Sequence, residues 1–226
     1  MSDITLNGSS VERATRTPRP LLVAGSLAGP LYVGIGTVEA LARDGFDITR
    51  HSLSLLANGP GGWVHSAMLV GTGLLTVLGA FGLARSMPSD HRSAWAPRGV
   101  GLFGLGVAVA GLLRADPAEG FPMGTPDGPP ETVTWHGIGH LVAGGVGFLG
   151  LILACLVLAR WFHRRHRSGW ARFSLVTGVY YLVSFAGIAS GAGSAAVNIA
   201  FTVAVVLGWL WVTVLLGRAG RDGGLR

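Results

Sequence analysis

The sequence predicts an all-α, polytopic membrane protein with six transmembrane helices. Half of the 226 residues are hydrophobic and only 12% are charged, about half the charged fraction of a soluble domain. Several apolar runs reach the ~18 residues that can span a bilayer. The 37 glycines exceed the ordinary share of about 7%. Without a collagen-like period, they are typical of closely packed membrane helices.

Six apolar runs supply the spans. They are Leu21–Ala42, Trp63–Ala84, Gly99–Leu113, Val133–Ala159, Phe173–Ser190 and Val197–Leu216. The third run is short, so we expect its helix to begin near Ala96-Pro97, whereas the fourth is long enough to tilt or to extend past the headgroups. We therefore predict a disordered cytoplasmic tail over 1–20, a transmembrane domain over 21–216 and a second cytoplasmic tail over 217–226.

The arginines predict the orientation of these spans. All 17 basic residues are arginine, and 14 of them fall on the cytoplasmic side if both termini are cytoplasmic. Only Arg43, Arg50 and Arg114 then lie outside. Because cytoplasmic loops carry the excess of basic residues, we predict an N-in, C-in, multi-pass protein of the cell's inner (plasma) membrane. The arginines lack the interleaved aromatic residues of a nucleic-acid surface, which excludes nucleic acid as a partner.

The segment DITRHSLSLLAN, residues 47–58, joins the first two spans and is called the connector here. Asp47 suits a helix N-cap, and Ile48–Ala57 is predicted as a short interfacial helix. Asn58-Gly59-Pro60 ends it, and its leucines should anchor it to the bundle. Spacings of four also predict pairing of Asp47 with His51, and of Glu39 with Arg43.

Ionisable residues recur at one predicted depth of the membrane. Glu39 ends span one, His65 lies one turn inside span two, Asp116 follows span three, and His136 and His140 begin span four. Ionisable groups within a membrane span are costly unless they have polar partners. We therefore predict that these residues share one outward-facing polar site. The acid–base candidates are Asp47, His51, Asp116 and His136. The substrate-binding candidates are Glu39, Arg50, Ser54 and Asn198.

The spacing of the histidines raises the possibility of a metal. His136 and His140 share a helix face, and together with His65 they form a candidate site for a divalent metal such as Zn. The alternative is that they are packing histidines held by hydrogen bonds. The lone Cys155 and the mid-span Tyr180 and Tyr181 are predicted to belong to the core.

These features resemble the DUF998 family, which comprises six-helix bacterial membrane proteins of unassigned function. The resemblance covers about residues 21–216. It rests on GFDITRHSLSLLANGPGGWVH, on the Gly-rich span that follows, and on the later GFP and His-x-x-x-His motifs. Its most specific part is the run with Asp47, Thr49, His51, Ser54 and Leu55. The resemblance implies a fold and a membrane location, and it implies no reaction.

Three functions are compatible with this sequence. The first is a membrane-embedded enzyme that contacts membrane lipids and acts on a lipid-like or isoprenoid substrate. The second is a b-type haem electron carrier, with His65 and either His136 or His140 as axial ligands, although the last two share a face and cannot hold one haem between them. The third is a transporter or a non-catalytic membrane protein. Transport is disfavoured because no ionisable residue lies near the middle of a span.

Overall fold

The computed structural model describes residues 19–87, 93–191 and 193–221. Over these residues the chain is helical, no strand is present, and six helical spans are long and apolar enough to cross a membrane. The predicted fold class is confirmed. Residues 1–18 and 222–226 lie outside the described residues, and most of the two predicted tails falls there.

Seven α-helices form the six spans. They are α1 Arg19–Ser26, α2 Ala28–Ala42, α3 Gly62–Ser86, α4 Trp95–Leu112, α5 Trp135–Arg164, α6 Ser168–Ala189 and α7 Ala195–Arg221. The third span begins at Trp95, beside the predicted Ala96-Pro97. Helices α5 and α7 run past their predicted ends to Arg164 and Arg221, so several arginines expected in loops lie on the last helical turns.

The first span was predicted as one helix, and this was wrong at Leu27, where α1 and α2 meet in a turn. The cause is Pro30. In an unbroken helix the carbonyl of Ser26 would accept a hydrogen bond from the amide of residue 30, which proline lacks. At the turn, the Leu27 amide donates to the carbonyl oxygen of Ala24 at 3.2 Å.

The spans form a ring in which each packs against the next, and α7 returns to α1 and α2. Glycines allow the closest contacts. A Cβ atom on Gly73 of α3 would lie 2.5 Å from the carbonyl oxygen of Gly104 on α4, and one on Gly106 would lie 2.7 Å from Cα of Gly147 on α5. Backbones this close need residues without side chains.

The hydrophobic core is closely packed with large side chains at the end of the bundle that carries most of the arginines. Leu22, Leu83, Leu158 and Leu215 are fully buried there, and the indole of Trp211 donates to the Ser174 hydroxyl at 3.0 Å. The other end carries residues 43–61, 113–134, 190–191 and 193–194 and is called the connector end. Three cavities lie at the connector end, and the closely packed opposite half of the bundle supports their walls.

The connector differs from the predicted helix over Ile48–Ala57. Residues 48–50 form a turn, and only Leu53–Ala57 is helical, as a 3-10 helix. The reason is local competition, because the side chain of Asp47 accepts from the Thr49 amide at 2.8 Å and favours a turn. The anchoring prediction is confirmed for Leu55 and Leu56, which are buried. Gly59 ends the segment at φ 70°, a left-handed conformation that suits glycine.

Candidate functional site

A cavity of about 400 Å³ lies among the six spans at the connector end. Its wall is mainly apolar, with Ser52, Ser54, His140 and Thr202 as polar members. The aromatic lining residues are Tyr32, Phe103, Phe148, Tyr181, Phe185, Phe201 and Trp209. We call this space the aromatic cavity. It is the kind of concave, mostly apolar space with a few polar groups that binds small molecules.

Trp209 of α7 fixes one part of this wall. Its ring lies 4.9 Å from that of Tyr32, in a stacked arrangement, and 4.9 Å from that of Phe103. Gly208 beside it leaves room for the ring of Tyr181, because a Cβ atom on Gly208 would lie 2.9 Å from Tyr181 Cε2. Helices α2, α4, α6 and α7 are therefore held together by rings that also line the cavity.

A second cavity, of about 450 Å³, lies between the connector, the loop 113–134 and the start of α7. We call it the polar cavity. Its hydrogen-bonding lining residues are Thr49, Arg50, Ser52, Ser54, Asp116, Glu119, Ser194 and Asn198. It shares Ser52, Ser54, Leu141 and Ile188 with the aromatic cavity. A polar space and an apolar space thus meet at the connector.

A groove of about 410 Å³ lies between α2 and α7. We call it the lateral groove. Val33 and Gly36 of α2 and Val206 of α7 line it, and it shares Tyr32, Leu53 and Thr202 with the aromatic cavity. The aromatic cavity is therefore bordered on this side by a surface groove rather than by a packed helix interface.

His51 fixes the shape of the connector. Its Nδ1 accepts from the Asp47 amide at 2.9 Å, and its Nε2 lies 2.8 Å from the carbonyl oxygen of Glu119. Since Nδ1 is an acceptor, the ring proton is assigned to Nε2, which donates to Glu119. Asp47 thus contacts His51 through its backbone, not through the predicted carboxylate pair. Hydrogen bonds from the Thr49 hydroxyl and amide lower the pKa of the Asp47 carboxyl.

Two side-chain amides and one guanidinium tie the connector to other elements. The side chain of Asn198 donates to the carbonyls of Ile48 and His51 at 2.8 and 3.0 Å. Asn58 donates to the Ala115 carbonyl at 3.0 Å. Arg43 donates to Leu56 at 3.0 Å and also to Asn58. Arg43 therefore holds carbonyls of the connector instead of pairing with Glu39.

Asp116 ties the loop 113–134 to the start of α5. Its carboxylate accepts from the Thr134 hydroxyl at 2.5 Å and from the Thr134 amide at 2.9 Å. The same hydroxyl accepts from the Gly137 amide and lies 2.8 Å from His136 Nδ1. Burial alone would raise the pKa of Asp116, but the Thr134 hydrogen bonds and nearby His136 hold it below its ordinary value.

Glu39 and His65 form a buried pair inside the bundle. The carboxylate of Glu39 lies 2.8 Å from Nδ1 of His65, which is fully buried. Nε2 of His65 has no hydrogen-bond partner among the described residues. Neither residue lines the three spaces described above. The pair satisfies two polar groups that would otherwise be costly at this depth.

Comparison with known protein families identifies the family to which this chain belongs. The model described as "Protein of unknown function (DUF998)" matches residues 26–218, most of the chain. The chain belongs to the DUF998 family. The resemblance drawn from the connector motif is thereby confirmed. No curated protein and no solved structure matches this chain, so arguments about this DUF998 protein rest on its own geometry.

The predicted site residues of this DUF998 protein divide among several networks. Arg50, Ser54, Asp116 and Asn198 line the polar cavity. Within the described part of the chain, no hydrogen bond joins the Glu39–His65 pair to the connector. The predicted single site is thus resolved into separate networks around two adjoining cavities.

The histidines predicted as metal ligands have different partners. His65 pairs with Glu39, His136 lies beside Thr134, and Nδ1 of His140 lies 2.9 and 2.8 Å from the carbonyls of Ala110 and Leu113. Over residues 19–87, 93–191 and 193–221, no group of three His, Cys, Asp or Glu residues could hold a metal ion.

Sequence reasoning missed the aromatic cavity of this DUF998 protein. Cys155 and Tyr181 are buried in the core as predicted, but Tyr181 also lines the cavity. Gly137, which lies between His136 and His140, admits Asp116, because a Cβ atom there would lie 2.1 Å from Asp116 Oδ2. The sequence signal of the cavity was the high aromatic content of α6, which packing alone also explains.

Proposed function

We propose that this protein binds an amphipathic, lipid-like molecule at the connector end of its membrane domain. The observation that carries the proposal is the contact between the two cavities, which share Ser52, Ser54, Leu141 and Ile188. The apolar part of the ligand lies in the aromatic cavity, and its polar part lies among the hydroxyls, Arg50 and Asn198 of the polar cavity. The ligand class is a lipid or an isoprenoid, because a wall of seven aromatic residues favours a large apolar body.

The lateral groove supplies the route from the bilayer in this proposal. It borders the aromatic cavity through Tyr32, Leu53 and Thr202, and Val33, Leu41 and Val206 give it a mainly apolar lining. A lipid tail moving between α2 and α7 would keep its apolar surface away from water throughout. The groove therefore fits a ligand taken from the membrane rather than from solution.

The charges of the chain support an outward-facing site in the plasma membrane. All seven acidic residues within the described parts of the chain lie at or beside the connector end, and ten of the thirteen described arginines lie at the other end. The arginine-rich end fits the cytoplasmic side by the positive-inside rule. The ligand is then drawn from the outer leaflet, and both termini are cytoplasmic.

Binding is better supported than catalysis by the hydrogen bonds of the candidate acid–base groups. Both nitrogens of His51 are engaged by Asp47 and Glu119, and both carboxylate oxygens of Asp116 are engaged by Thr134. A general acid or base needs a proton or a lone pair within reach of the substrate. These side chains use theirs to hold the walls of the site, so we assign them positioning roles.

Lipid analysis of the purified protein tests the proposal. Gly144 lines the aromatic cavity, and a Cβ atom there would meet only the Phe148 ring, at 3.9 Å. Gly144→Leu should therefore fill the cavity without displacing the backbone. Native mass spectrometry should show a lipid or isoprenoid bound to the wild type and a large loss of that species in the variant.

The matched control is Gly71→Leu on α3, where a Cβ atom would meet nothing within 4 Å. It adds the same side chain to an exposed face and should retain the bound molecule. The proposal fails if Gly144→Leu, folded as judged by gel filtration and thermal melting, retains the wild-type amount of bound lipid.

A further inference from the structure

Tyr181 lines the aromatic cavity and carries a buried, unpaired hydroxyl. The residue is 1% exposed, and its hydroxyl has no hydrogen-bond partner among the described residues. Burial of a hydroxyl without a partner is destabilising, and a phenylalanine would fill the same ring position without that cost. A ligand atom that accepts from this hydroxyl would account for tyrosine at this position.

His140 provides a second polar group in the same wall. Both atoms near its Nδ1 are carbonyl oxygens, of Ala110 at 2.9 Å and of Leu113 at 2.8 Å, so Nδ1 carries the proton. In the neutral ring, Nε2 is then an acceptor, and no hydrogen bond from another described residue reaches it. Besides the hydroxyls of Ser52, Ser54 and Thr202, the mainly apolar lining thus contains a donor on Tyr181 and an acceptor on His140.

The shape of the wall favours a flat or unsaturated ligand. Phe148 lies at the centre of a group of rings, with centroids 5.4 Å from Tyr181, 5.4 Å from Phe185 and 5.6 Å from Phe201. Aromatic rings attract other π systems in edge-to-face and offset geometries. A conjugated or ring-containing body gains these contacts, and a saturated acyl chain does not.

We infer that the ligand is an unsaturated or ring-containing lipid that carries a carbonyl or hydroxyl oxygen within its apolar body, and that this oxygen accepts a hydrogen bond from Tyr181. The inference rests on the proposed function and narrows its ligand class. A quinone with an isoprenoid tail has this chemistry, since its ring oxygens accept hydrogen bonds and its tail is unsaturated.

Two small probes separate the hydrogen bond from apolar packing. Duroquinone is a fully methylated benzoquinone, and durene is a tetramethylbenzene without the oxygens. Calorimetric titration of the detergent-solubilised wild type should show tighter binding of duroquinone. Tyr181→Phe should weaken duroquinone binding about two- to tenfold, the range for one lost hydrogen bond, and should leave durene binding unchanged. Tyr180→Phe, on the neighbouring residue of α6, should change neither.

Stability gives an independent readout. The Tyr181 hydroxyl has no protein partner among the described residues, so Tyr181→Phe should not lower the melting temperature of the ligand-free protein. The inference is overturned if Tyr181→Phe changes both probes equally, changes neither, or lowers that temperature. Durene binding that Gly144→Leu abolishes, without any preference for duroquinone, would refute the oxygen contact but keep the cavity as a binding site. Failure of the wild type to bind either probe, with no lipid difference in Gly144→Leu, would refute both proposals.

Discussion

Replacement of Gly73 by alanine should separate α3 from α4 and destabilise the bundle. The added Cβ atom would lie 2.5 Å from the Gly104 carbonyl oxygen and 2.6 Å from the Ala108 amide nitrogen. Ordinary contacts between carbon and oxygen are about 3.3–3.6 Å, so α4 must move by roughly 1 Å. Both close atoms belong to the backbone, and rotation of a side chain cannot relieve the clash.

The expected cost follows from overpacking, which typically destabilises a protein by about 1–3 kcal/mol. Alanine is also the better helix former by roughly 1 kcal/mol, and this gain partly offsets the clash. Gly71→Ala measures this gain in helix propensity by itself, because residue 71 lies on the same helix with nothing within 4 Å of its Cβ position. The difference between the two variants therefore isolates the packing cost.

Thermal melting of the detergent-solubilised variants, followed by gel filtration, measures this difference. At about 2–4 °C per kcal/mol for a chain of this length, the melting temperature of Gly73→Ala should lie about 2–12 °C below that of Gly71→Ala. Equal melting temperatures would refute the argument that α3 and α4 are held in backbone contact by glycines.

Three further predictions concern charge. Reporter fusions after Asn58 should be extracytoplasmic and those after Arg165 cytoplasmic; the reverse pattern would overturn the orientation. The pKa of Asp116 is lower in the folded protein than its ordinary value of 3.8. Its contribution to stability is therefore fully present above pH 3.8 and is lost as the pH falls through the lower folded-state pKa. On acidification, the melting temperature of the wild type should fall more than that of Asp116→Asn. Glu39→Ala leaves Nδ1 of the buried His65 without its partner and should cost about 1–3 kcal/mol, the range for a buried polar group left unsatisfied. The double variant Glu39→Ala/His65→Leu should recover most of this loss, and equal melting of the single and double variants would contradict it.

Much of the fold was predictable because membrane spans are encoded locally. A run of ~20 apolar residues satisfies its own backbone only as a helix, so the six spans could be located from composition alone. Their ends were less certain, since arginine-bearing turns such as Arg160–Arg164 can continue a helix past the apolar run. The break at Leu27 was also available in the sequence through Pro30, but proline is tolerated in membrane helices, and its presence alone does not decide the outcome.

The candidate site was less predictable because its contacts join distant parts of the chain. Depth along each span placed Glu39, His65, Asp116 and His136 at one end of the bundle, and the structure bears this out. Depth gives no information about rotation around a helix axis, which decides whether two side chains meet. Glu39 could reach Arg43 or His65 by distance along its span, and only the packing of α2 against α3 selects His65.

The polar content of the connector has a physical reason that the hydrogen bonds make clear. A short segment lying over a cavity cannot pair its backbone within a long helix, and its amides and carbonyls must find partners elsewhere. Asp47, His51, Asn198 and Arg43 provide those partners for the connector. The segment is thereby held in a fixed shape without filling the space beneath it. A connector of apolar residues would have to collapse into the aromatic cavity to bury its side chains, and the space proposed for the ligand would be lost.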